Sequence, residues 1–365
     1  MNAPDPLVLL PLMGLAAGTI LGYVARINRF CTLSALERHW YAGDSRGLRT
    51  WVLAAAVALI ASQTAAAFGL ADLSLSFYLH PGFGLTGAIL GGVMFGLGMA
   101  LVGTCGFGAI VRLGGGSLRA AVVLIVLGLT ALAAQRGLLA PLRILLVDDL
   151  ALDFSAAGDQ SLTSLLSHLA GTDLSLVVPV LASLALLGWI FSDRSFRREG
   201  AFIATGTLIG LCISFGWVAT TWAERNAFEP VQIEAASFVV PVGDTILQLI
   251  TYTGTLPDYG IGLIVGTFAG AALGAWRKKD GRWEACDDAR ELGRHFLGAS
   301  LMGVGGVFAM GCTVGQGITA VSTLAISAPV VFLSIAFGAR IGLAWLIEGS
   351  IRTLVPGFGH GRPAR

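Results

Sequence analysis

Five cysteines occur, at positions 31, 105, 212, 286 and 312, and three of them share a setting. Cys31 stands in Arg29-Phe30-Cys31-Thr32-Leu33-Ser34, Cys105 in Gly103-Thr104-Cys105-Gly106-Phe107-Gly108, and Cys312 in Gly311-Cys312-Thr313-Val314-Gly315-Gln316-Gly317. Each follows a long apolar run and precedes an apolar segment too short to cross a membrane, so each reads as the tip of a re-entrant element. Glycines such as Gly106 and Gly311 let the backbone approach a ligand closely. The helix that follows presents unpaired N–H groups and the positive end of its dipole. This is the chemistry of an anion site. Thr313 and Gln316 are candidates to line it, although a Thr after a turn also serves as a helix cap. No C-x-x-C pair occurs and no cysteine has a His or Cys at metal-ligand spacing, so neither a metal, a cofactor nor a disulfide framework is expected.

A doubly charged anion costs several kcal/mol per charge to desolvate. Each helix N-terminus supplies roughly half a positive charge, so about four convergent termini offset a dianion with no lysine present. Arg29 and Arg112 are the nearest cations, and they equally well mark a cytoplasmic interface. Of the other two cysteines, Cys212 lies inside an apolar run and reads as inert packing. Cys286, beside Trp283, Glu284 and Asp287, reads as an exposed cytoplasmic thiol.

The elements that must position these residues are membrane helices. Mean hydropathy is +0.79 and only 12% of residues are charged, against roughly a quarter in soluble domains. The fifty glycines point to helices that pack closely or break at depth. Nine spans of about 20 apolar residues are predicted, near 7–25, 50–71, 84–104, 118–134, 174–191, 200–218, 258–276, 295–311 and 328–347. Shorter apolar segments at 138–147, 161–170 and 241–252 read as interfacial or re-entrant helices. Met1 to Pro6 hold no basic residue, which argues against a cleaved signal peptide.

Of 23 Lys and Arg residues, 19 follow odd-numbered spans, including Arg352, Arg362 and Arg365 at the end. By the positive-inside rule the N-terminus is then periplasmic and the C-terminus cytoplasmic, in a bacterial inner membrane. Trp189, Trp217, Trp222 and Trp276 fall near span ends, as an interfacial belt requires. A net charge of +1 with scattered cations excludes a nucleic-acid partner. No Walker motif accompanies the spans, and no row of acids lies within them. Glu348, near the end of the last, is the one candidate for proton coupling.

A shift of 207 residues lays Gly91, Gly96, Gly98, Cys105 and Gly108 on Gly298, Gly303, Gly305, Cys312 and Gly315. Gly18-Thr19-Ile20-Leu21-Gly22 likewise resembles Gly206-Thr207-Leu208-Ile209-Gly210, which sets Ala219 opposite Cys31. One membrane domain, 1–365, is therefore expected, with a first half at 1–150, a connector with the fifth span at 151–199, and an inverted second half at 200–365. Inverted repeats are a transporter architecture in which broken helices meet near the midplane.

Across nearly the whole chain the three cysteine motifs resemble the YeeE/YedE family of sulfur-compound transporters, and the Cys312 motif is the most specific. The resemblance implies an hourglass-shaped, nine-span permease, not an enzyme, that passes thiosulfate inward by S–H to sulfur hydrogen bonds. Its three functional thiols would fall on Cys31, Cys105 and Cys312. It also implies a cytoplasmic TusA-like sulfur-carrier partner, for which Glu37, Arg38 and His39 after Cys31 offer a charged docking face. A neutral thiol, which an apolar setting favours, is a weak donor suited to thiosulfate's soft terminal sulfur. A thiolate would repel a dianion by roughly 8 kcal/mol at about 4 Å and an effective dielectric of about 20. Two other readings stay open: another sulfur or selenium cargo, and a membrane thiol-disulfide oxidoreductase, which the wide cysteine spacing disfavours.

Overall fold

The computed structural model describes residues 5–251, 257–285 and 288–349. Among them run fourteen α-helices: α1 (Pro6–Asn28), α2 (Thr32–Ala42), α3 (Arg46–Ala67), α4 (Leu85–Val102), α5 (Gly106–Gly114), α6 (Leu118–Gln135), α7 (Ala140–Arg143), α8 (Leu162–Ala170), α9 (Val177–Phe191), α10 (Gly200–Asn226), α11 (Val240–Ile250), α12 (Tyr259–Lys278), α13 (Ala289–Phe308) and α14 (Ser327–Leu343). Two short strands, β1 (Gly82–Phe83) and β2 (Leu152–Asp153), pair antiparallel and tie the segment before α4 to the long connector. Cys286, Arg352, Arg362 and Arg365 lie outside the described residues, as do Met1 to Pro4, the last residue of the 241–252 segment and the C-terminus.

Seven helical stretches among the described residues are long and apolar enough to cross a membrane. Two more expected spans are present as helices of different character. α9 is apolar but only 15 residues long, and α13 opens with Arg290, Glu291, Arg294 and His295. The protein is an all-α, multi-pass membrane protein. Helix ends depart from the hydropathy reading where caps and propensity outrun the apolar run. α10 continues to Asn226 through Trp222-Ala223-Glu224-Arg225, and α13 begins at Ala289, directly after Asp288.

Glycine sets the helix spacing. On α1, a methyl group added at Gly14, Gly18 or Gly22 would stand 2.2, 2.2 or 2.0 Å from the carbonyl oxygens of Tyr259, Leu263 and Thr267 on α12. The contact is reciprocal, because Gly262, Gly266 and Gly270 meet the carbonyls of Pro11, Leu15 and Thr19. Such a four-residue period on both helices brings two backbones into direct contact where lipid supplies no hydrophobic drive.

The same residue type reveals a two-fold relation. Gly91 packs on the carbonyl of Gly305, and Gly98 on that of Gly298. These are the residues related by the 207-residue shift, and they meet crosswise, as a two-fold contact requires. Helix partners exchange in the same manner: α1 lies against α12 while α10 lies against α3, and α4 lies against α14 while α13 lies against α6.

Trp217 departs from the interfacial expectation. It is fully buried, and its indole donates to Ser322 Oγ at 2.9 Å, whereas Trp189, Trp222 and Trp276 are exposed. Position near a span end does not fix which face of the helix a ring occupies.

Candidate functional site

One backbone device recurs at the three cysteines. The residue two before each is left-handed: Arg29 at φ 53°, Gly103 at φ 80° and Met310 at φ 54°. This ends one helix and turns the chain so that the cysteine begins the next. Cys31 is the N-cap of α2 and Cys105 the N-cap of α5, and neither uses its own side chain to cap the helix. Cys312 precedes a short helix that widens into a π turn over Gly315–Ala320. Two of these turns hold non-glycine residues in a sparsely populated region, which costs of order 1 kcal/mol each and needs surrounding support.

That support is visible. Arg112 reaches back from α5 and donates to Gly103 O at 2.7 Å. Gln316 reaches back to Ala309 O at 2.8 Å and Met310 O at 3.2 Å, while its carbonyl accepts from Ser327 at 3.3 Å. Gln316 is thereby engaged at both ends of its amide, in holding the Cys312 turn. Trp51 Nε1 donates to Thr32 Oγ1 at 3.1 Å and fixes the start of α2 on α3.

Cys105 lies within interaction range of both Cys31 and Cys312, and the Thr313 hydroxyl faces it. Cys105 and Cys312 are buried and Cys31 is half-buried. The Gly315 N–H donates to Cys312 Sγ at 3.4 Å, and the Phe238 N–H also faces that sulfur. Gly106 approaches Phe238 so closely that a methyl group would stand 2.7 Å from its carbonyl. Phe238 immediately precedes Val239, the N-cap of α11. Four short helices begin in this region, at Cys31, Cys105, Cys312 and Val239, and the N-terminus of a helix carries the positive end of its dipole. Val239 stands 208 residues after Cys31 and plays its part in the second half, so the partner of Cys31 in the repeat is Val239 and not Ala219, which sits inside α10.

Two cavities approach this centre from opposite ends of α6 and α12. One, of about 430 Å³, is lined by Gln135, Arg136, Glu234, Ser237, Met310 and Gly311, and so reaches the Cys312 turn. The other, of about 300 Å³, is lined by Thr104, which precedes Cys105, and by Arg26, Arg112, Arg119, Arg282 and Arg294. The first is bordered by acids: Asp244 pairs with Arg136 at 3.2 Å, and Asp258 caps α12. Burial first, and then the charges of Asp258 and Asp244, push the Glu234 carboxyl far above the ordinary carboxylate range. The second cavity is roofed by residues 280–284, held by Arg26–Asp280 at 2.9 Å, Arg119–Glu284 at 3.2 Å and the Leu118 N–H on Glu284 O at 2.8 Å.

Of the residues singled out from sequence, Cys31, Cys105, Cys312, Gly106, Gly311, Thr313 and Gln316 all fall in this region. Cys212 is buried within α10. Glu348 accepts from Tyr41 at 2.7 Å and pairs with Arg340 at 3.6 Å. Sequence reasoning passed over Tyr78, Thr104, Glu234 and the Ser237–Phe238 turn. The signal available for the last was the offset from Cys31 to Val239, nearly that from Cys105 to Cys312.

A profile described as sulphur transport matches residues 28–341. The chain is 25% identical over 316 residues to the thiosulfate transporter TsuA of Escherichia coli strain K12, covering 84% of this chain and 86% of that protein. It is 26% identical over 352 residues to the thiosulfate transporter TsuA of Spirochaeta thermophila, covering 92% and 98%. With its three cysteine turns inside the matched region, the chain belongs to the sulphur-transport family, the YeeE/YedE group that its motifs resemble.

Proposed function

We propose that this protein is a permease of the bacterial inner membrane that takes up thiosulfate, passing it inward along neutral thiols. The observation that carries the reading is that Cys312, Cys105 and Cys31 each begin a helix in one region, with one cavity reaching the Cys312 turn at Gly311 and another reaching Thr104 beside Cys105. The anion enters beside Arg136 and Ser237 and meets Cys312. It then passes Cys105 and Thr313 and leaves beside Thr104 into the arginine-lined cavity, with Cys31 on the inner side. The helix N-termini offset the charge, and each S–H offers the terminal sulfur a contact weak enough to break. Gly106 and Gly311 keep the passage open to backbone, while Gln316 fixes the turn that aims Cys312.

The skew of basic residues supports a cytoplasmic position for the arginine-lined end, with the N-terminus periplasmic. A TusA-like carrier on that face, meeting Glu37, Arg38 and His39 of α2, would draw thiosulfate onward. The crosswise contacts of α4 and α13 support halves at 1–150 and 200–365 joined by 151–199. The protein itself carries out no bond chemistry in this reading.

Uptake of labelled thiosulfate into proteoliposomes, with sulfate as control, tests the proposal. Thiosulfate enters and sulfate does not. Equal entry of both, or of neither, contradicts it.

A further inference from the structure

Tyr78 comes from the segment between α3 and α4, outside every spanning helix. Its ring is held by Phe77 at 4.0 Å and by Trp217 edge-on at 6.5 Å. Its N–H donates to Ser76 Oγ at 3.3 Å, so ring and backbone are both fixed. Tyr78 is 1% exposed, and its hydroxyl makes no hydrogen bond of normal geometry among the described residues, with the Ser237 hydroxyl beside it as a donor to the phenol oxygen. That hydroxyl lies over the Cys312 turn: methyl groups added at Gly315 or Gly311 would stand 2.9 and 3.5 Å from it. Ser237 and Cys312 are both within its interaction range, and Ser237 and Phe77 line the larger cavity.

A buried hydroxyl without a partner is a cost that native proteins rarely carry. Ser237 acts toward the phenol oxygen as a donor, and no acceptor among the described residues takes the Tyr78 O–H proton. The missing acceptor is one that arrives from the cavity. An anion with a soft sulfur at one end and sulfonate-type oxygens at the other offers that acceptor beside Cys312.

We infer that the Tyr78 hydroxyl donates to an oxygen of the transported anion while Cys312 meets its terminal sulfur, so that one residue pair reads both ends of the substrate. This rests on the thiosulfate reading above. The pair differs in kind: a phenol is a strong donor matched to hard oxygen, and a thiol is a weak one matched to sulfur. Burial pushes the Tyr78 phenol far above its ordinary range, so it remains a donor at any working pH.

The test is thiosulfate uptake by wild-type and Tyr78→Phe protein in the same proteoliposomes. The variant removes a hydroxyl whose proton has no acceptor among the described residues, so its melting temperature without ligand changes little. Its half-saturating thiosulfate concentration rises about ten- to a hundredfold, as loss of a hydrogen bond to a charged group requires. Incorporating 3-fluorotyrosine at position 78, whose phenol is a stronger donor, lowers that concentration and covers the case in which the phenylalanine variant folds poorly. A wild-type protein that moves no thiosulfate overturns the proposed function and this inference together. A wild type that transports, with an unchanged half-saturating concentration in Tyr78→Phe or in the fluorotyrosine protein, overturns the role of Tyr78 alone.

Discussion

Cys105 and Cys212 are both buried thiols, yet their surroundings assign them different fates. Cys105 begins a helix, faces Thr313 and has two other thiols within range, whereas Cys212 is enclosed in the middle of α10. Replacing Cys105 or Cys312 with Ser exchanges a soft, weak donor for a hard, strong one on the proposed path of the substrate's sulfur. Uptake through either variant falls at least about fivefold, the worth of roughly 1 kcal/mol of mismatched contact, as read by initial rates in proteoliposomes. Cys212→Ala leaves uptake unchanged and lowers stability by about 1 kcal/mol, measured by thermal unfolding in detergent. Cys105 and Cys312 were legible in sequence because glycines and a preceding span mark a turn that starts a helix, whereas Cys31, with no glycine beside it, stood on the preceding span and the family motif. Tyr78 was not, since a tyrosine in an irregular segment carries no pattern, and only the folded chain brings it over Gly311 and Gly315.

At the scale of elements, α1 and α12 are held by backbone contact, so their glycines tolerate no side chain. Gly18→Ala places a methyl group 2.2 Å from Leu263 O and must push the helices apart. It destabilises the protein by about 1–3 kcal/mol, which thermal unfolding of the purified variant reads directly. Gly188→Ala, on the lipid-side α9 with open space around it, changes stability by a few tenths and slightly favours the helix. Hydropathy located the spans because each is apolar over most of its length. It misplaced the ends of α10 and α13, where charged residues remain helical beyond the apolar stretch. The repeat was legible in Gly91, Gly98 and Cys105. Its pairing of Cys31 failed because the match of α1 with α10 ignores the longer α10, and the fold aligns N-caps instead.

At the scale of the molecule, two cavities of different charge lie toward opposite ends of α6 and α12, one reaching the Cys312 turn at Gly311 and the other Thr104 beside Cys105. The cation-rich one suits release of an anion, while the other carries Glu234, whose carboxyl is pushed by burial far above the ordinary range. A carboxyl raised in the folded state contributes stability at low pH and loses it as pH climbs above the ordinary value near 4.5, toward the folded one. Glu234→Gln removes that penalty: the variant melts higher than wild type at pH 8, and the difference vanishes below about pH 4.5. Equal melting at both pH values contradicts a raised Glu234 carboxyl. Neither cavity could be read from sequence, because each gathers side chains from segments more than a hundred residues apart.

The central claim is that the anion passes between the thiols at the meeting of four helix ends. Selenosulfate, with selenium in place of the terminal sulfur, tests it most directly when bound to crystals and located by its anomalous signal. The account predicts selenium within about 4 Å of Cys312 Sγ or Cys105 Sγ, with the oxyanion end turned toward helix N-termini. Selenium bound well away from every one of the three sulfurs, in either cavity or at the lipid face, contradicts it.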